Sequence, residues 1–121
     1  MTKKTKTPPI LNLPDTPPPL GEHVRVTLDY GVTDARGRGM GMEVVIRHVP
    51  PFPATPLSFA RPARFASCLW ATRDGARHGA IASAHTATFA TWAEARDAAE
   101  KYVVTARDRA LAAARDRASK T

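Results

Sequence analysis

Thr88-Phe89-Ala90-Thr91-Trp92-Ala93-Glu94-Ala95 decides the architecture of this 121-residue chain. Thr88 and Phe89 close a β-prone run. Thr91 followed three residues on by Glu94 is a capping box: the threonine hydroxyl accepts from the Glu94 amide, and the carboxylate reaches back to the Thr91 amide. β-structure therefore hands over directly to a long helix, expected over 92–118. Trp92, Ala95, Ala99, Tyr102, Val103, Ala106, Ala110 and Ala113 recur at helical spacing as its buried stripe. Glu94, Asp97 and Glu100 occupy its first half and Arg107, Arg109, Arg115, Arg117 and Lys120 its second, which complements the macrodipole. Ala106-Arg107-Asp108-Arg109-Ala110 recurs at Ala114-Arg115-Asp116-Arg117-Ala118, an offset that is not a heptad and argues against a coiled coil. Beyond Leu111 only alanines remain to bury, so the last turns are expected to project or fray.

Upstream of that handover lies strand patterning. Phe65 to Thr72 reads as a strand, Asp74-Gly75 as a hairpin turn, and Arg77 to Phe89 as the return. A two-residue turn sets Trp70 opposite Gly79 and Cys68 opposite Ile81; a longer turn would change these pairs. Further back, Val24, Val26, Leu28 and Tyr30 alternate with His23, Arg25, Thr27 and Asp29, the signature of a half-buried antiparallel strand. Gly31 to Gly41 carries four glycines and forms a loop or wide hairpin end, after which Met42 to Val49 restores strand character. The fold class is therefore α+β: a four-stranded antiparallel sheet of two hairpins, with one long C-terminal helix packed on one face.

Prolines punctuate the remainder. The first 20 residues hold six of the 11 prolines, together with Lys3, Lys4 and Lys6, and read as a disordered basic tail ahead of a single domain over 21–121. Pro14-Asp15-Thr16-Pro17 meets the minimal PxxP pattern, which many linkers also meet. Pro50, Pro51, Pro53, Pro56 and Pro62 break the connector over 50–63, whose Phe52, Leu57 and Phe59 lead us to expect that it packs over the sheet.

Composition narrows the function classes. No apolar run approaches the roughly 18 residues a membrane span needs, and the basic start lacks the apolar stretch of a signal peptide. A single cysteine, Cys68, excludes an internal disulfide framework and suits a reducing, cytoplasmic setting; mid-strand beside Leu69 and Trp70 it reads as a small core hydrophobe. His23, His48, His78 and His85 lie apart, and neither CxxC nor HxxxH spacing occurs, so no metal, cofactor or catalytic residue is assigned and a non-enzymatic protein is expected. The glycines at 37–41 lack the lysine and the strand-loop-helix setting of a phosphate loop.

The net charge of +7 favours polyanionic partners, although 13 arginines against five lysines, with abundant alanine, is also what GC-rich coding produces. Arginines concentrate on the β-structure. Arg36 and Arg38 cap one hairpin, Arg73 and Arg77 flank the other, and Arg47 and Arg64 lie between, with only Glu43 and Asp74 opposing them from Arg36 to His78. Such a set can contact phosphates or, on a two-stranded ribbon, guanine edges in a major groove.

The order of hairpin, Phe89-Ala90-Thr91-Trp92-Ala93-Glu94-Ala95 and alanine-rich helix resembles the three-stranded-sheet-plus-helix DNA-binding domains of AP2 type and the arm-binding domains of tyrosine recombinases. Those families share an F-x-T-x-x-E-A handover and lay the sheet in the major groove. The resemblance spans Phe65 to Tyr102 and rests on residues that cap and pack the helix. Ala80, Ala82, Ala84 and Ala87 stand where AP2 sheets present arginine and tryptophan, so no base-contacting residue carries over. HicB-type antitoxin domains end a sheet in a similar helix. The expected function is nucleic-acid binding, DNA before RNA, through arginine-bearing hairpin ends. The alternative is a protein-interaction module, a small inhibitor or adaptor of the kind mobile elements encode, meeting a partner such as an acidic protein surface through Phe52, Leu57 and Phe59 of the connector or the helix end; a homodimer would form through a sheet edge or the alanine-faced helix end.

Overall fold

The computed structural model describes residues 10–78 and 84–120. Five strands precede one helix: β1 (His23–Thr33), β2 (Gly39–Val49), β3 (Arg64–Arg73), β4 (Ala76–Arg77), β5 (His85–Phe89) and α1 (Trp92–Ser119). All pairings are antiparallel, in the order β1-β2-β3, with β4 and β5 both on the far edge of β3. The expected four-stranded antiparallel sheet is therefore present, with its fourth strand in two pieces, and the strand order, which the sequence leaves open, is that of a meander.

The turn chemistry behaves as its residues dictate. Asp74 and Gly75 both take positive φ, at 54° and 83°, which is the two-residue turn matching the twist of a hairpin. It pairs Arg73 with Ala76 and Thr72 with Arg77. That register does not persist. Cys68 pairs with Thr86 rather than with the expected Ile81, an advance of five residues from 81 to 86 along the return strand. Gly79 and Ile81 lie outside the described residues, so the Trp70–Gly79 pair is not described. In β1 the register also shifts between Asp29 and Thr33, where Gly31 adopts a φ of 79° and its amide donates to the Asp29 carboxylate at 2.8 Å. Gly41, opposite Asp29, leaves no room for a side chain, since a Cβ there would come within 2.3 Å of the Leu28 carbonyl oxygen.

α1 opens on the expected capping box, with Thr91 accepting from the Glu94 amide at 3.1 Å and Glu94 accepting from the Thr91 amide at 3.1 Å. Its Trp92, Ala95, Ala99, Val103 and Ala110 are buried against Val44, Ile46, Met42, Phe65 and Leu69 of the sheet. Alanines on the helix let its axis lie close to the strands. Two positions of the expected stripe differ: Tyr102 is 38% exposed and stacks on His85, with ring centroids 4.2 Å apart, and Ala113 is exposed. The final turns stay helical to Ser119, and Arg117 donates back to the Thr33 carbonyl.

The tail expected over 1–20 divides. Residues 1–9 lie outside the described residues, whereas 10–20 form a docked strap and not a free leader. The Glu100 carboxylate accepts from the Ile10 and Leu11 amides at 2.9 and 3.0 Å, the Trp92 indole donates to the Pro14 carbonyl at 3.0 Å, and Leu11 is buried. Prolines there prevent helix and strand but allow an extended segment whose few free amides are met by a side chain.

The connector over 50–63 is a second correction. It does not pack over the sheet: Leu57 and Phe59 are 98% and 92% exposed, and Phe52 is more than half exposed. Bridges join Phe52 to Arg61 and Thr55 to Ser58 in one common register, so the segment folds on itself as a narrow ribbon projecting from the β2–β3 end of the sheet. Five prolines leave too few amide donors for it to join the sheet as a strand.

Candidate functional site

Strand parity sorts the side chains into two faces. The pairs Val24–Ile46, Val26–Val44 and Leu28–Met42, continued by Leu69, Phe65 and Phe89, form the face beneath α1. Their alternates form the opposite face: Arg25 on β1; Glu43, Val45 and Arg47 on β2; Arg64, Ala66, Cys68 and Trp70 on β3; and Arg77 on β4. None of these alternates belongs to the hydrophobic cluster beneath α1, and we term this second face the open face.

At its centre Glu43 is only 3% exposed. Arg25 donates to Glu43 Oε2 at 2.5 Å and Arg77 to Oε1. Burial opposes ionisation of this carboxyl, but hydrogen bonds from Arg77 and Arg25 outweigh it and hold its pKa below the ordinary value. The arginines themselves stay wet, with 60% of the Arg25 side chain and 48% of the Arg77 side chain exposed. Arg77 also lies over the Trp70 ring, 3.7 Å from its centroid, so the guanidinium is fixed by an ion pair at one edge and a π-face beneath. Arg47 is exposed and has no carboxylate partner among the described residues. Arg64 has its guanidinium 5.9 Å from the Phe52 ring at the root of the projecting ribbon. The remaining acid of this face, Asp29, is turned onto the Gly31 amide.

The six arginines singled out in the sequence thus fall into two groups. Arg47, Arg64 and Arg77 share the open face. Arg36, Arg38 and Arg73 gather where the two hairpin ends meet, joined by Asp74 accepting from the Gly39 amide at 2.7 Å. There Arg38 and Arg73 both hold Asp34, at 3.0 and 3.1 Å, and only Arg36 presents its side chain unpaired among the described residues. Asp34 has its pKa lowered to about 2, first by the backbone amide of Arg38, then by that of Arg36, by the Arg38 charge and by the Arg73 hydrogen bond. Two hairpin-end arginines are therefore committed to shaping the turn.

Comparison with family models, curated proteins and solved structures returned no match.

Arg25, Glu43 and Trp70 are the residues that sequence reasoning did not place in the site. Arg25 carried a signal, since it alternates with Val24 and Val26. Cys68 is a correction: register puts it on the open face beside Val45 and Thr86, half-buried, and not in the core under the helix. Burial pushes its thiol pKa up, which suits an unreactive thiol. Among the described residues no cluster of His, Cys, Asp or Glu could hold a metal ion, and no helix is long and apolar enough to cross a membrane.

Proposed function

We propose that this protein binds nucleic acid, duplex DNA in preference to RNA, through the open face of its sheet. One observation carries the reading: four arginines line a face on which the central carboxylate is buried and already neutralised by two of them. Guanidinium groups held by an ion pair or an aromatic ring, as those of Arg25 and Arg77 are, lose little freedom on meeting a phosphate, and both side chains stay about half exposed. The order Arg77, Arg25, Arg47, Arg64 follows the strands over roughly 25 Å, at about 3.3 Å per residue, a length that spans several phosphates of a duplex. The AP2-type resemblance points the same way, because it calls for a sheet face free of the helix. Trp70 is less suited to stacking on an unpaired base, since Arg77 occupies its ring face, and this favours the duplex over single strands.

About four phosphate contacts would give a slope of log affinity on log salt near −3.6, or a loss of roughly a hundredfold between 50 and 200 mM. Anisotropy titrations of the protein with duplex DNA, single-stranded DNA and RNA at these two salt concentrations test it. Arg47→Ala should weaken duplex binding several-fold and flatten the slope by about 0.9. An unchanged affinity and slope in this variant would remove the open face from the interface. The rival reading, a protein-interaction module, would draw on Phe52, Leu57 and Phe59 of the ribbon, and is favoured if the protein binds no nucleic acid even at low salt.

A further inference from the structure

The projecting ribbon over 50–63 exposes two large apolar side chains, Leu57 and Phe59, almost completely to water. We propose that it is a wedge that enters a groove of the duplex beside the open face and unstacks a base step; this rests on the nucleic-acid reading above.

Charge selects the partner. From Val44 through Arg73 the chain contains no acidic residue, while Arg47, Arg61, Arg64 and Arg73 are all cationic. An apolar tip on a wholly basic stem suits a polyanion with an apolar interior, which is what a stacked duplex is. A second copy of this chain carries the same +7 charge and would be repelled. Strand addition to another sheet is also disfavoured, because Pro50, Pro51, Pro53, Pro56 and Pro62 remove the edge donors it would need.

Shape and placement agree. The ribbon is two chains wide, closed by the turn Thr55–Ser58, whose hydroxyls bond each other at 2.8 Å. It extends at most about 20 Å beyond the sheet at 3.3 Å per residue, enough to reach the floor of a groove roughly 7.5–8.5 Å deep. Arg64 belongs to the open face and its guanidinium sits near Phe52, so the root of the ribbon is continuous with the basic face. Prolines restrict the ribbon in the free state, and a stiff apolar side chain such as Phe or Leu is what pries a base step apart.

The test uses duplexes carrying 2-aminopurine at successive pyrimidine–purine steps, the steps most easily unstacked. Binding is followed by anisotropy and unstacking by 2-aminopurine fluorescence. The wild-type protein should bind and raise the fluorescence at least twofold at one step or more. Leu57→Ser/Phe59→Ser, both at solvent-exposed positions, should keep the wild-type melting temperature and salt slope, lose the fluorescence rise, and bind roughly tenfold more weakly. Binding with no rise at any step overturns the wedge and leaves the open-face reading standing. Absence of binding by the wild type overturns both. A wild-type dimer in sedimentation that the double variant abolishes assigns the ribbon to a second copy instead.

Discussion

Glu43 is the residue on which the open face turns. A carboxylate at 3% exposure would be costly alone, and here it serves as the common anchor of Arg25 and Arg77. Glu43→Gln keeps the shape and removes the charge. The two arginines left behind are half exposed and can turn to water, so the expected loss is about 1–2 kcal/mol and not the larger penalty of stranding a buried ion. The pH dependence has a definite sign. A folded-state pKa below the ordinary 4.5 means that Glu43 contributes stability above that pH and loses it as the pH falls through the folded value. Asp34, lowered from 3.8 to about 2, acts in the same direction and window. Thermal melts should therefore show wild-type stability falling between about pH 5 and pH 2, with a shallower fall in Glu43→Gln, where the Asp34 share remains. Parallel curves would mean that the Glu43 ion pairs are not formed in solution.

Among the elements, α1 depends most on its entry. With alanine supplying most of its buried face, the helix gains little from each contact, and the capping box matters in proportion. Thr91→Ala should cost about 1 kcal/mol, visible as a lower melting temperature by roughly 4–8 °C, whereas Thr91→Asp should retain most of the stability. Equal losses in both would show that something other than the cap is being measured. That cap was legible in the sequence because its chemistry is local: a threonine, a glutamate and a spacing of three. Strand β1 was legible for the same reason, as period-two alternation. Strand β3 was legible as a strand but its faces were not, since Ala66, Cys68 and Trp70 on one side and Phe65, Ser67 and Leu69 on the other are comparably apolar, and parity alone does not say which side meets the helix. The offset between β4 and β5 was equally hidden, because the turn at Asp74-Gly75 fixes the register only of the strand ends beside it. The ribbon over 50–63 was misjudged by composition: its apolar residues suggested packing, but its prolines deny it the backbone bonds that would hold it on the sheet.

At the scale of the whole molecule, the body is closed by a segment that local rules assigned to a tail. Nothing in Ile10-Leu11-Asn12-Leu13-Pro14 has helical or strand periodicity, and its docking depends on a glutamate 89 positions further on than Leu11. Glu100 lies in the third turn of α1, beyond the reach of the macrodipole, and its carboxylate accepts from two consecutive amides while Leu11 is buried in the core cluster. Removing it as Glu100→Ala leaves both amides without an acceptor, and the strap can satisfy them only by lifting into water. The expected outcome is a local opening: amides 10 and 11 exchange faster by about tenfold or more, and limited proteolysis cuts within the strap, while the strands keep their protection. Hydrogen exchange read by mass spectrometry separates this from a general loss of stability, in which β2 and β3 would exchange faster in step with the strap. If neither region changed, Leu11 and the Trp92–Pro14 bond would be sufficient to hold the segment, and the two Glu100 hydrogen bonds would add nothing to its docking.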